Sequence, residues 1–373
     1  MAIQIREVKS RHDLKTFVYL PEKIHKDHKN WVPPFYSDEW KYFNPKYNRA
    51  FDYCEIILLN AYMDGKIVGR IMGINNKRHN IAKNENSARF ALFESIDSQD
   101  VAHELLSYVE KWAIGLGLNK IIGPFGMTYH DPMGFMTEGF DKTPAVSTYS
   151  NFEYIIQLLE VEGYDTEENL FVYRLDMKNE IPAIHRRIYP KVLSNPHVSK
   201  LHFKTKSDIK PYIVPILKLM NDCFNEILGY SILDEKEMKI LAAHYLPVLI
   251  PKYVQVIKYD DELAGFMIAM PNIARGIIAS RGRLFPFGFV KILLAQKDRH
   301  QLDLLIGGIL EKYRGLGIDV ILGVDIIEMA KKTGFDIIDS HLELESNYKV
   351  RAEMEKLGGE VYKRYRIFRK NLS

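Results

Sequence analysis

The chain has 373 residues, too many for one typical domain, so two domains of roughly 150–200 residues are expected. Its 47% hydrophobic and 27% charged content supports sizeable cores and excludes a disordered chain, while a formal charge of only +3 without a lysine/arginine block gives no case for nucleic acid. Cys54 and Cys223 stand too far apart for a disulfide framework or metal site, the N-terminus lacks an apolar signal core, and no run approaches the ~18 apolar residues of a membrane span, so a soluble, cytoplasmic, metal-free protein of bacterial type is expected.

Ile3–Val8 reads as a short strand and Asp13–Asp27 as a helix, followed by the aromatic, proline-rich stretch Trp31–Tyr36, read as a cover over the first sheet. Ile56–Tyr62 and Ile67–Asn75 flank Asp64-Gly65, a strong hairpin signal. Arg89–Phe93 is a strand, and Gln99–Leu116 is a helix that Asp97 or Ser98 can cap and Gly117 ends. Ile121-Ile122 opens a strand that runs into Gly123-Pro124-Phe125-Gly126. A long loop, a helix over Tyr154–Glu162 and a strand over Leu170–Met177 follow. Asn179–Pro196 is a connector with a short helical piece. The order then starts again: strand Leu201–Thr205, helix Ile209–Leu228, hairpin strands Val254–Lys258 and Ala264–Met270 across Asp260-Asp261, and strand Leu302–Ile309. Helix Val320–Lys332, strand Ile337–Glu345, helix Tyr348–Leu357 and strand Val361–Arg369 complete it.

Local sequence also recurs in the same order. Tyr62–Gly69 is similar to Tyr259–Gly265, Gly117–Ile122 to Gly334–Ile338, and Leu158–Gly163 to Met354–Gly358. The spacing of the first and third pairs agrees closely. The second is longer, which places an insertion near Arg275–Gln296. Two copies of one fold are therefore expected: residues 1–178, a connector over 179–199, and residues 200–373. Each copy reads β, α, β-hairpin, β, α, β, α, β, an α+β (mixed α/β) arrangement with a mixed, mostly antiparallel sheet flanked by helices.

The most informative stretch is Leu302–Phe335, a strand feeding the turn Tyr313-Arg314-Gly315-Leu316-Gly317-Ile318-Asp319 and then a helix. Such a turn aims several backbone N–H groups and a helix dipole at one point, which suits a pyrophosphate. Written Arg-x-x-Gly-x-Asp, it resembles the acyl-CoA pyrophosphate loop of GCN5-related N-acyltransferases (GNAT fold), whose form is Gln/Arg-x-x-Gly-x-Gly/Ala. The element order of both copies resembles tandem-GNAT bacterial proteins. The resemblance implies an acetyl-CoA or longer acyl-CoA donor and an amine acceptor on a small molecule or peptide. It leaves an acyl carrier protein open as an alternative donor, because related architectures use one. It implies cofactor contacts from Ile309, Leu310, Arg314, Gly315, Leu316, Gly317, Ile318, Asp319 and Asn347, with a main-chain N–H near Ile309 or Leu310 polarising the thioester.

Asp319 departs from the family pattern. It can repel a phosphate or instead cap the helix. Alternation over His341–Glu345 puts His341, Glu343 and Glu345 on one strand face, and the resemblance makes Glu343 and Glu345 candidate general bases. The family's proton-donating tyrosine falls at Met354, whose thioether has no proton to give. The first copy has no glycine-rich turn and reads as degenerate. Its long loop Gly126–Phe140 offers Tyr129, His130 and Asp131 as acceptor contacts. Asn76, Arg78 and His79 read as a solvated strand end. The rival to an enzyme is a non-catalytic pair that binds a ligand or a partner protein.

Overall fold

Asp64 and Gly65 turn the chain at φ +50° and +74°, and the two strands they join register residue for residue from Met63↔Lys66 to Ala61↔Gly69 with one bulge. The computed structural model describes residues 2–372. The first copy comprises β1 (Ile3–Glu7), α1 (Arg11–Ile24), α2 (Tyr36–Tyr42), β2 (Cys54–Met63), β3 (Lys66–Asn76), α3 (Lys77–Lys83), β4 (Ser87–Ser95), α4 (Gln99–Gly115), β5 (Lys120–Gly123), β6 (Phe135–Glu138), α5 (Tyr154–Val161) and β7 (Asp165–Asp176). Helix α6 (Ala183–Leu193) connects it to the second. That copy comprises β8 (Val198–Leu201), α7 (Lys206–Phe224), α8 (Glu235–Tyr245), β9 (Val254–Tyr259), β10 (Glu262–Pro271), α9 (Ala274–Ser280), α10 (Gly288–Ala295), β11 (Gln301–Ile309), α11 (Ile318–Thr333), β12 (Ile337–Asp339), β13 (Glu343–Leu344), α12 (Tyr348–Lys356) and β14 (Glu360–Asn371).

Alternation on each hairpin sorts side chains into two cores. On β3, Ile71 packs with Val101 and Leu105 of α4, while Met72 and Ile74 pack with Phe17 and Val18 of α1. On β10 a bulge at Ala264 breaks the alternation, so Ala264 meets Ile318 and Ile321 of α11 while Phe266, two residues on, meets Ile213 and Met220 of α7. Tyr36 and Phe43 lie in the α1 core, so the aromatic stretch is a packed cover. Helix α11 is apolar on nearly every side because the sheet covers one flank and α6 packs on another.

All strands belong to one sheet, ordered β1-β2-β3-β4-β5-β14-β7-β12-β11-β10-β9-β8, with β6 paired to β14 and β13 to β7. The last strands are exchanged. β14 lies beside β5 of the first copy, β7 lies beside β12 of the second, and the two pair antiparallel at the centre. The β4–β5 and β11–β12 pairs are parallel and run for three residues each, ending at Arg89↔Ile122 and Asp303↔Asp339. Beyond those points the partners separate, leaving one cleft per copy.

The strand expected over Ile337–Glu345 is broken. Its register on β7 slips by a residue between Asp339↔Arg174 and Glu343↔Phe171, and His341 adopts φ +61°. Alternation therefore does not carry His341 onto the face of Glu343. Its Nε2 lies 3.0 Å from the carbonyl of Val146.

Candidate active site

β11 ends in the glycine-rich turn as the sequence predicts, and α11 begins at Ile318 with Gly317 as its N-cap. Gly315 and Gly317 have φ +78° and +83°, where a side chain is strained. At Gly317 a Cβ would also lie 2.4 Å from Val192 of α6, so that glycine is fixed by packing as well. No side chain caps this helix, so Asp319 in its first turn leaves the N–H groups free. Arg314 N–H donates to Glu311 and Ile321 N–H to Gly317. Among the described residues no acceptor serves the successive N–H groups of Gly315, Leu316, Gly317, Ile318, Asp319 and Val320. That is a continuous donor row at a positive helix end. Arg314 Nε donates to the Ile309 carbonyl at 3.3 Å, which holds its guanidinium beside the turn.

The two expected polarising N–H groups are not equivalent. Leu310 N–H donates to Ala264 at 2.9 Å, so it is committed to β10 and unavailable to a ligand. Ile309, opposite Gly265 in the next register position, points its N–H away from β10 toward the cleft. A bulge between Ile268 and Ala269 leaves Leu305 unpaired on β11, just above the fork.

On the cleft's other wall, the Glu343 carboxyl has no hydrogen-bond or ion-pair partner among the described residues. Burial pushes its carboxyl up to about 8. Glu345 differs: its carboxylate accepts the Asn169 amide at 2.9 Å, and Arg351 donates to its carbonyl. Asn347 is the N-cap of α12, with its side chain making no cap bond. Met354 is buried in the core with Tyr173 and Leu357 and does not reach the cleft.

The first copy's loop crosses to the second. Tyr129 packs edge-on against Phe224 and Tyr230, at 5.8 and 5.4 Å, and its phenol is pushed up by burial and by the nearby Glu343 charge. Asp131 faces the other way. It accepts from Tyr42 Oη at 3.1 Å and Thr128 N–H at 2.8 Å, and burial raises it to about 6. His130 is pushed down to about 4 by burial, and its Nε2 has no partner. The loop thus brings Tyr129 toward Glu343 and leaves Asp131 with the first copy.

Asn76, Arg78 and His79 are not a solvated strand end. Arg78 makes a two-pronged ion pair with Glu237 of α8 at 2.9 and 3.0 Å, and Asn76 and His79 are buried beside it. The first copy's own cleft is filled. Its bulged Leu92, at φ +52°, donates its N–H to Tyr149 Oη at 3.1 Å, and Phe135 packs on Tyr149.

A polar cluster at the fork of β11 and β12 escaped the sequence reading. Lys363 of β14 and Asp339 are both fully buried, 2.8 Å apart, and Tyr362 donates to the same carboxylate. Burial would raise Asp339, but Lys363 holds it below the usual range. Neighbouring Asp303 is pushed up to about 7 by burial and by Asp339, and accepts from Gln301 and Asn272. A carboxylate inside the apolar run Leu302–Ile306 was the available signal. Lys363 had none, because the alternation of β14 reads as polar.

No family model matches this chain. It is 26% identical to the bacterial ceramide synthase of Caulobacter vibrioides (strain NA1000 / CB15N), over 99% of this chain and 98% of that protein. It is 24% identical to protein YghO of Escherichia coli (strain K12), over 99% and 95%. Among solved structures it superposes on a tandem GNAT protein from the clavulanic acid biosynthesis pathway with TM-score 0.57, at 11% identity over 100% of this chain and 99% of that one. The chain has a tandem GNAT fold. A GCN5-related N-acetyltransferase from Sphaerobacter thermophilus matches the same tandem GNAT fold with TM-score 0.54, at 11% identity over 99% and 96%. In the described residues no helix is long and apolar enough to cross a membrane.

Proposed function

We propose that the second copy is an acyl-CoA-dependent N-acyltransferase site. The observation that carries this reading is the row of unpaired N–H groups from Gly315 to Val320, at the end of the strand that forms one wall of the second cleft. The donor row fits a pyrophosphate, with Arg314 beside it for a charge-assisted contact and Asn347 across the cleft mouth. The acyl arm then lies between β11 and the Glu343 wall, with the Ile309 N–H turned toward it. An acceptor amine attacks the thioester carbonyl, the C–N bond forms, the C–S bond breaks, and Glu343 takes the amine's proton. Glu345, tied to Asn169, supports that wall. Tyr129 forms the acceptor side, while His130 and Asp131 hold its loop in place. A ceramide is a fatty amide, so the name of the Caulobacter relative supports an amine-bearing lipid as acceptor, alongside the small-molecule and peptide amines. An acyl carrier protein remains the alternative donor.

Thermal shift with CoA, acetyl-CoA and a long-chain acyl-CoA tests the donor site. Acyl-CoA at one hundred times its Kd stabilises the fold by about 2.7 kcal/mol. Gly317→Ala, strained and clashing with Val192, removes the ligand-induced shift. No shift at millimolar ligand overturns the acyl-CoA-dependent reading. It would favour a non-catalytic binding module, the reading suggested by Asp319, by Met354 in the core and by the filled first cleft.

A further inference from the structure

The insertion between β10 and β11 folds as the hairpin α9–α10. Its packing is unusual in what it leaves out. Gly276 lets α9 meet α10 through backbone, since a Cβ there would lie 2.8 Å from the Lys291 carbonyl, and Gly288 packs α10 onto the link between the helices, where a Cβ would lie 1.7 Å from the Arg283 carbonyl. Two short links fix the hairpin to the first copy, Tyr36 N–H to the Gly282 carbonyl at 3.1 Å and Arg283 to Glu22 at 2.6 Å. Held this way, α9 buries Ile277, but α10 and the link before it leave most of their large apolar side chains out of the core. Helix α10 reads Gly-Phe-Val-Lys-Ile-Leu-Leu-Ala, and of these only Gly288 is buried. Phe285 is 81% exposed, Phe287 72% and Leu294 59%, with Phe289, Val290 and Leu293 exposed beside them. A soluble surface scatters such residues singly, whereas here they are contiguous.

The surrounding charge is one-sided. The segment carries Arg275, Arg281, Arg283, Lys291, Lys297 and Arg299 against one acidic residue, Asp298, and after the Arg275–Asp298 and Arg283–Glu22 pairs Arg281, Lys291, Lys297 and Arg299 have no carboxylate partner among the described residues. That excess is larger than the formal +3 of the whole chain. Aromatic and aliphatic side chains ringed by cations match the interface of an anionic bilayer, where rings enter the headgroup boundary and cations meet phosphates. A second copy fits poorly, because a two-fold contact through this patch would oppose two positive rims.

We infer that the α9–α10 hairpin docks the protein on the surface of an anionic membrane. The inference stands apart from the acyltransferase reading. It also places the fork of the second cleft near the lipid, because Asn272, at the root of the hairpin, donates to Asp303 at 2.8 Å.

Flotation of the full chain with phosphatidylcholine vesicles, with and without phosphatidylglycerol, tests it. Wild type should float with the anionic vesicles, less with neutral ones, and less again as salt rises. The double variant Phe287→Ser/Leu294→Ser should lose partitioning by about tenfold or more at unchanged melting temperature. Should it melt early, Phe285→Ser, at the most exposed of these positions, gives the same reading alone. Absence of flotation on any vesicle, or equal flotation of the variants, overturns the proposal. So does a vesicle-free dimer of wild type that the variants abolish, or capture by an acidic carrier protein without flotation.

Discussion

Replacing Glu343 by glutamine should make the protein more stable and less active together. The carboxyl is raised from 4.5 to about 8 by burial, and no cation or donor compensates it. A folded-state value above the unfolded one means the folded state holds the proton more tightly. The resulting stability is fully present below pH 4.5 and is lost as pH rises through about 8. At full ionisation the loss has a ceiling of about 5 kcal/mol, at ~1.4 kcal/mol per tenfold change in proton affinity. Glu343 keeps partial solvent access, so about half that ceiling, roughly 2 kcal/mol, is expected. Glutamine keeps the shape and removes the ionisation. The variant should match wild type near pH 4 and exceed it by roughly 2 kcal/mol above pH 8 in urea unfolding. In the same variant kcat should fall about 10²–10⁴-fold with little change in acyl-CoA affinity, and the rise of wild-type rate through pH 8 should vanish. Equal stability at pH 9 would refute the burial argument. Retained activity with an unchanged pH profile would refute the role as base.

Two further outcomes follow from other positions. Asp319→Gly removes a carboxylate from the first turn of α11 without removing a cap, so acyl-CoA should bind roughly 3–10-fold tighter by calorimetry, and unchanged affinity removes Asp319 as an obstacle. Lys363→Met leaves Asp339 buried without its cation beside Asp303 and should cost about 3–5 kcal/mol in urea unfolding, most of it regained in Lys363→Met/Asp339→Asn.

The elements that were legible in the sequence are those set by local chemistry. Asp64-Gly65 forced a hairpin, Gly317 and Gly334 bracketed α11, and the unequal repeat spacing located α9–α10 as an insertion. The turn of residues 313–319 was legible for the same reason, since glycines at positive φ declare themselves in any context. What local pattern could not reach was pairing between distant strands. Period-2 alternation predicted one strand over Ile337–Glu345, but β7 of the other copy imposes a slipped register there and turns His341 aside. Arg78 looked like a solvated strand end because its partner, Glu237, lies on a helix of the other copy. Glu343 and Glu345 looked equivalent until Asn169 on β7 distinguished them.

The exchange of β7 and β14 explains why a filled first copy is retained beside the second. A copy whose cleft is filled could be discarded if it were a separate domain, but here its last strand is the second copy's sheet neighbour. β7 carries the registers that set both β12 and β13, and so positions the wall on which Glu343 stands. β14 returns in the opposite direction and pairs with β5 while supplying Lys363 to the fork where β11 and β12 part. The Gly126–Phe140 loop adds Tyr129 to the same cleft. The β12–β13 wall of the second cleft therefore depends on main chain from the first copy. A mutation that loosens the first copy's core acts on the cleft through strand register, with no need to touch a residue that lines it.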